Sequence, residues 1–288
     1  MNNFWKRTAT AVIFVIVLLA AIWHPVSCVI LFSMLAVLSV YEFYSITRND
    51  NDSHVNKFGG MLLAATLMTG VPAVFAMFNA ATSEENIHYL NAFLFFNVLI
   101  YIALWFALLI FELFRNKGNA LKNWAYLIMG QMFFALPWCI AAILPFFNYN
   151  ASFDHNILYA LFFTIWLNDT GAYLCGCTLG KHKFFERISP KKTWEGFAGG
   201  ALLAILAGAF VFPHLFGKGQ IFWLLFTLIA VVFGTLGDLI ESLIKRSVGV
   251  KDSGNILPGH GGILDRFDSF MFAAPAIFIY ISIYYVIL

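Results

Sequence analysis

The stretch Leu90–Phe114, L-N-A-F-L-F-F-N-V-L-I-Y-I-A-L-W-F-A-L-L-I-F-E-L-F, is apolar along almost its whole length and carries one charge, Glu112. The hydrocarbon core of a bilayer takes about 20 such residues as a helix. Comparable runs recur along the chain, at roughly 8–23, 26–46, 58–80, 90–114, 122–146, 155–176, 195–216, 219–241 and 269–288. The expected fold is therefore all-α, a polytopic integral membrane protein of about nine transmembrane helices. Composition agrees: 61% of the 288 residues are hydrophobic, 11% are charged and 33 are Phe. Mean hydropathy is +0.81, far above the soluble range. His24-Pro25 alone separates the first two runs, and Pro favours a break there. Lys6-Arg7 ahead of an apolar run has the form of a signal sequence, read here as an uncleaved anchor because so many spans follow.

Orientation follows from the basic residues, which collect in cytoplasmic loops. With nine spans and the N-terminus in the cytoplasm, only Lys218 of the 17 Lys and Arg residues falls outside. The C-terminus is then external. A net charge of +2, spread over short loops, gives no nucleic-acid footprint, and no nucleic-acid partner is expected. Cys28, Cys139, Cys175 and Cys177 have neither disulfide nor zinc spacing and read as small membrane hydrophobes. The longest pieces outside the membrane are two cytoplasmic loops, 177–194 and 242–268.

Both loops are rich in chemistry. The first ends Ser189-Pro190-Lys191-Lys192-Thr193-Trp194-Glu195-Gly196. Ser-Pro is a favoured helix start, with Ser as N-cap and Pro at the first helical position. The positive-inside rule accounts for lysines here, while exposed N–H groups with Lys191 and Lys192 would also make a phosphate site. Asp169, in Asn168-Asp169-Thr170-Gly171-Ala172-Tyr173, is an ionisable group at a membrane helix end and so a functional candidate. Glu42 and Glu112 lie closer to polar ends and read as structural. Small residues in Gly234-Thr235-Leu236-Gly237 permit close helix packing. Beyond them, Asp238, Ser242 and Lys245 share one helical face.

The second loop runs S-L-I-K-R-S-V-G-V-K-D-S-G-N-I-L-P-G-H-G-G-I-L-D-R-F-D from Ser242 to Asp268. Asp265 and Asp268 are three apart at the start of the last span. With Asp238 they would supply a hard oxygen shell for Mg²⁺, which also takes substrate phosphates as ligands. Helix-start acids with Arg266 as a partner would explain one carboxylate but not the set.

This loop resembles the hallmark pattern of the phosphatidate cytidylyltransferase (CDP-diacylglycerol synthase) family. The pattern is Ser-x-apolar-Lys-Arg, four residues, Lys-Asp-x-small, two residues, apolar-Pro/Gly-x-His-Gly-Gly, apolar-x-Asp-Arg-apolar-Asp. Ser242, Ile244, Lys245, Arg246, Lys251, Asp252, Gly254, Leu257, Pro258, His260, Gly261, Gly262, Ile263, Asp265, Arg266, Phe267 and Asp268 meet it without departure. The segments at 168–173 and 189–196 are similar to the family's upstream motifs. So long a pattern at fixed spacing is specific.

The resemblance implies that CTP and phosphatidic acid give CDP-diacylglycerol and diphosphate at the cytoplasmic face of the cell's inner (plasma) membrane. Residues 1–150 would be N-terminal transmembrane helices and 151–288 the catalytic transmembrane region. Asp238, Asp265, Asp268 and Lys245 would be catalytic, the three acids through Mg²⁺. Asp169, Ser189, Lys191, Lys192, Ser242, Arg246, His260 and Arg266 would bind substrate. The expectation admits a second cation and a homodimer. The Asp-Gly-x-x-Ala-Arg run of the CDP-alcohol phosphotransferases does not occur. A transporter would place its acids near midplane between repeats, whereas these gather at one side.

Overall fold

The computed structural model describes residues 3–71, 84–147, 152–254, 256 and 261–287. The chain forms two compact units, Met1–His155 with Ser247–Arg266, and Asn156–Arg246 with Phe267–Leu288. Most of it is helical, as the apolar runs require. Among the described residues, five helices are long and apolar enough to cross a membrane: Pro25–Asn49, Asn86–Arg115, Ala120–Phe146, Gln220–Ser247 and Leu264–Tyr285.

In the first unit, α1 (Asn3–Ile22) and α2 (Pro25–Ile46) are separated at the expected Pro, with His24 accepting the Val26 N–H at 3.3 Å as N-cap. α3 (Lys57–Thr69) opens on Asn56, which accepts from Gly59, and the later part of that run, 72–80, lies outside the described residues. α4 is Glu84–Arg115 and α5 Ala120–Gly130. α5 passes through a π turn, Gln131–Ala135, into α6 (Leu136–Ile143). Pro137 has no N–H to donate to the preceding turn, and the helix widens there.

The core of this unit is built round Tyr44, fully buried in α2. Its ring lies against Gly60 and Gly130, where a Cβ would overlap it. Its hydroxyl donates to Leu127 O at 2.9 Å and accepts from Gln131 Nε2 at 3.1 Å. Glu112, the one charge of the opening stretch, is buried at the end of α4. It accepts from Asn123 Nδ2 at 2.5 Å and lies 3.6 Å from Arg115. This is the structural role expected of it.

The second unit contains α7 (Asn156–Leu179), strands β1 (Lys183–Phe185) and β2 (Ser189–Thr193), α8 (Trp194–Phe210) and a short α9 (Phe212–Phe216). α10 (Gln220–Ser247) and α11 (Leu264–Ile287) complete the chain's helices. Its core includes Phe162 and Phe270, stacked at 4.7 Å, and Trp223, whose Nε1 donates to Gly217 O.

The fold is all-α as expected, apart from one short antiparallel hairpin of β1 with β2. Two other expectations need correction. Ser189-Pro190 does not start a helix. Those residues lie in β2, and Thr193 is the N-cap, accepting the Gly196 N–H at 3.1 Å. The physical reason is that Pro suits an edge strand as well as a helix start. Placing Lys191 and Lys192 before the helix also spares them its positive end, leaving Glu195 in the first turn. Finally, α10 continues through Ser247, so Ser242, Lys245 and Arg246 are helical rather than in a loop.

Candidate functional site

Small residues bring the second unit's helices close enough to form a site. A Cβ on Gly171 of α7 would lie 2.9 Å from the Cα of Gly200 in α8. Between α10 and α11, a Cβ on Gly237 would lie 2.7 Å from the Asp268 carbonyl oxygen. The residue after Gly237 is Asp238, so this contact sets the carboxylates of Asp238 and Asp268 near each other.

A cleft of about 230 Å³ opens among α7, the hairpin, α8, α10 and α11. Asn168, Asp169, Ala172, Tyr173 and Gly176 of α7 line it, with Phe184, Lys191, Lys192 and Thr193 of the hairpin. Gly196 and Phe197 of α8, Thr235 and Asp238 of α10, and Ser269 of α11 complete the wall. Lys192 Nζ donates to Asp238 Oδ2, and Ser242 Oγ donates to Asp238 Oδ1 at 3.4 Å. Lys191 is exposed in the same wall. Buried Asn168 keeps its Oδ1 without a hydrogen-bond partner.

The hairpin is held in place by Glu195. Its carboxylate accepts the N–H groups of Lys181 and His182 at 3.1 and 3.2 Å and meets His182 Nδ1 at 2.5 Å. The Trp194 N–H donates to His182 O at 3.0 Å. The segment that leads into β1 is thus tied to the start of α8, and β2, which carries Lys191 and Lys192, pairs with β1.

Asp268 is half-buried and feels the charges of Asp238, Glu241 and Asp169. Asp169 feels those of Asp238 and Lys192. Glu241 and Lys245, both buried, pair at 2.6 Å one turn apart. Asp169, Asp238, Glu241 and Asp268 thus lie near one another with Lys192 and Lys245 among them, and a divalent cation would offset the repulsion between the acids. Among the described residues no three His, Cys, Asp or Glu side chains are grouped closely enough to hold a metal alone.

Of the expected residues, Asp169, Lys191, Lys192, Asp238 and Ser242 come together here, with Asp268 beside them. Lys245 is engaged by Glu241. Ser189 sits opposite Phe185 in the hairpin and is not among the cleft's described lining residues. Arg246 is exposed at the end of α10. Asp265 and Arg266 belong to the first unit. There Asp265 accepts the Ser253 N–H at 3.0 Å and the Gly262 N–H at 3.0 Å, and Arg266 is exposed. His260 lies outside the described residues. Glu241, Thr193 and Asn168 were missed as site members. Spacing of four between Glu241 and Lys245 was the signal available for the first.

A helical membrane protein with a charged cleft and this loop pattern defines a class, and the comparisons specify it. Residues 5–284 match the Cytidylyltransferase family, and the chain belongs to it. It is 43% identical over 175 residues to a phosphatidate cytidylyltransferase of Staphylococcus haemolyticus (strain JCSC1435), 60% of this chain and 65% of that one. A phosphatidate cytidylyltransferase of Staphylococcus aureus (strain COL) is 46% identical over 164 residues, 56% of this chain and 58% of its own. One of Bacillus subtilis (strain 168) is 54% identical over 121 residues, 42% of this chain and 45% of its own. The chain thus spans less than two thirds of the length of the curated relatives it matches.

Proposed function

We propose that the protein is a phosphatidate cytidylyltransferase. The observation that carries this reading is the cleft in which Lys191 and Lys192 face Asp169 and Asp238 beside Asp268. A phosphate oxygen of phosphatidic acid attacks the α-phosphorus of CTP, the bond to the β-phosphate oxygen breaks, and diphosphate leaves with CDP-diacylglycerol as the other product. A phosphate monoester is already largely ionised near neutral pH, so no strong general base is needed. The demand is charge neutralisation between two polyanions, and basic side chains with a divalent cation supply it in phosphoryl chemistry.

In this reading Lys191 and Lys192 bind the nucleotide's phosphates, with Lys192 exchanging Asp238 for phosphate oxygen. Asp238 and Asp268 would hold Mg²⁺, which when bound would withdraw charge from the reacting phosphates. The Glu241–Lys245 pair keeps a buried positive charge one turn beyond Asp238. Asp265 keeps its place at the start of α11 through two backbone N–H groups. The protein spans the plasma membrane nine times, with N-terminus and cleft on the cytoplasmic side and the C-terminus outside. The alternation of basic residues supports that arrangement.

The test is direct. Purified protein with labelled CTP, phosphatidic acid and Mg²⁺ should release diphosphate and form CDP-diacylglycerol. Failure to form it, in protein that binds CTP, would remove the proposal.

A further inference from the structure

We infer that Glu42 of α2 is a positioning residue for the reaction, acting as the N-cap of α11 from the far end of the chain. The residue that precedes α11 is Ile263, whose side chain has no acceptor to offer the first-turn N–H groups. Glu42 supplies it. Its Oε2 accepts the Leu264 N–H at 3.0 Å and the Ser253 hydroxyl at 3.3 Å, and its carboxylate also receives the backbone of Ile263. One carboxylate therefore ties together both ends of the loop that closes the family's pattern, from a point 222 residues away in sequence.

The surroundings are cut to fit it. Glu42 is 2% exposed. A Cβ on Gly254 or on Gly262 would come within 2.8 Å of a carboxylate oxygen, so these two glycines form the walls of its seat. Its Oε1 is buried with no hydrogen-bond partner. Burying a carboxylate this way is expensive, and a helix end in water would be capped at lower cost by a Ser or Asp in place of Ile263. What the distant carboxylate adds is a fixed position. Leu264 and Asp265 lie in the first turn of α11, and Asp268 follows Leu264 by one turn of the same helix. Anchoring Leu264 fixes the first turn of the helix that carries Asp268.

The inference rests on the cytidylyl-transfer reading for its kinetic arm only. Glu42→Gln keeps the shape and an acceptor for Leu264, whereas Glu42→Asp is one methylene short and Glu42→Ala removes the acceptor. Amide hydrogen exchange in the inserted, full-length protein should show lost protection at Leu264, the amide that Glu42 accepts, in the Asp and Ala variants. The Gln variant should stay near wild type. In the same variants turnover should fall by about a hundredfold, the cost of a misplacement near 1 Å. The KM for CTP should hold, and the Mg²⁺ concentration for half-maximal rate should rise. Unchanged protection and turnover in Glu42→Asp would overturn the inference. So would a fall only in the amount of folded protein, with an unaltered Mg²⁺ requirement in the folded fraction, since that is what a purely structural residue would give. If the wild-type protein forms no CDP-diacylglycerol, the function proposal fails while the exchange arm still decides whether Glu42 holds the loop.

Discussion

At the scale of single residues, the cleft separates two kinds of charge, and substitutions should separate them too. Asp238→Asn and Asp268→Asn keep shape but remove the charge a hard cation needs. Turnover should fall at least about a hundredfold in each, with the Mg²⁺ requirement shifted upward in the residual activity. Near-normal turnover in both would dissolve the metal assignment. Lys191→Ala should instead raise the KM for CTP and leave the Mg²⁺ requirement alone, because Lys191 is exposed in the wall and not within the acid cluster. Away from the cleft, Lys122 donates to Asp50 at 3.1 Å and holds its carboxyl below the ordinary value of 3.8. A lowered acid stabilises the fold fully above its ordinary value and loses that contribution as pH falls through the lowered one. Thermal midpoints of wild type and Asp50→Asn should therefore converge as the pH is taken below about 4.

At the scale of elements, glycine decides where helices meet. Gly237 lets α10 approach the backbone of α11 at Asp268, and nothing larger fits without movement, since Phe272 Cβ also lies 3.0 Å from the built Cβ. Gly237→Ala should destabilise the protein by about 1–3 kcal/mol, read as a lower thermal midpoint. It should also lower turnover, because the displaced contact is the one that sets Asp238 beside Asp268. An enzyme of normal rate and stability would show that the two helices move independently of that contact. The hairpin works differently. It carries Lys191 and Lys192 on β2, which pairs with β1, and Glu195 pins the segment before β1 to the start of α8, so the lysines are placed by hydrogen bonds and not by helix packing.

At the scale of the whole molecule, the distribution of basic residues makes a topological prediction. In a background with Cys28, Cys139, Cys175 and Cys177 replaced, Gly219→Cys should react with an impermeant thiol reagent in sealed cells. Glu186→Cys, exposed in the hairpin loop, should react only after permeabilisation. Labelling of both from outside would overturn the orientation and with it the cytoplasmic placing of the cleft.

Hydropathy, Pro25, the loop pattern and the small residues of α10 were legible in the sequence because each acts over a few neighbouring residues. They determined that the protein is a helical membrane protein, where most helices run, and which family it joins. Other features depend on partners far apart along the chain, and no local pattern contains them. Ser189-Pro190 joined a strand because Phe185 was there to pair with Ser189 and Lys183 with Thr193. Lys192 met Asp238 across 46 residues, and Glu42 met Leu264 across 222. Glu42 read from sequence as one acid near a polar helix end. Only the tertiary structure turned it into the cap of another helix, because a buried carboxylate must find its donors wherever the fold brings them.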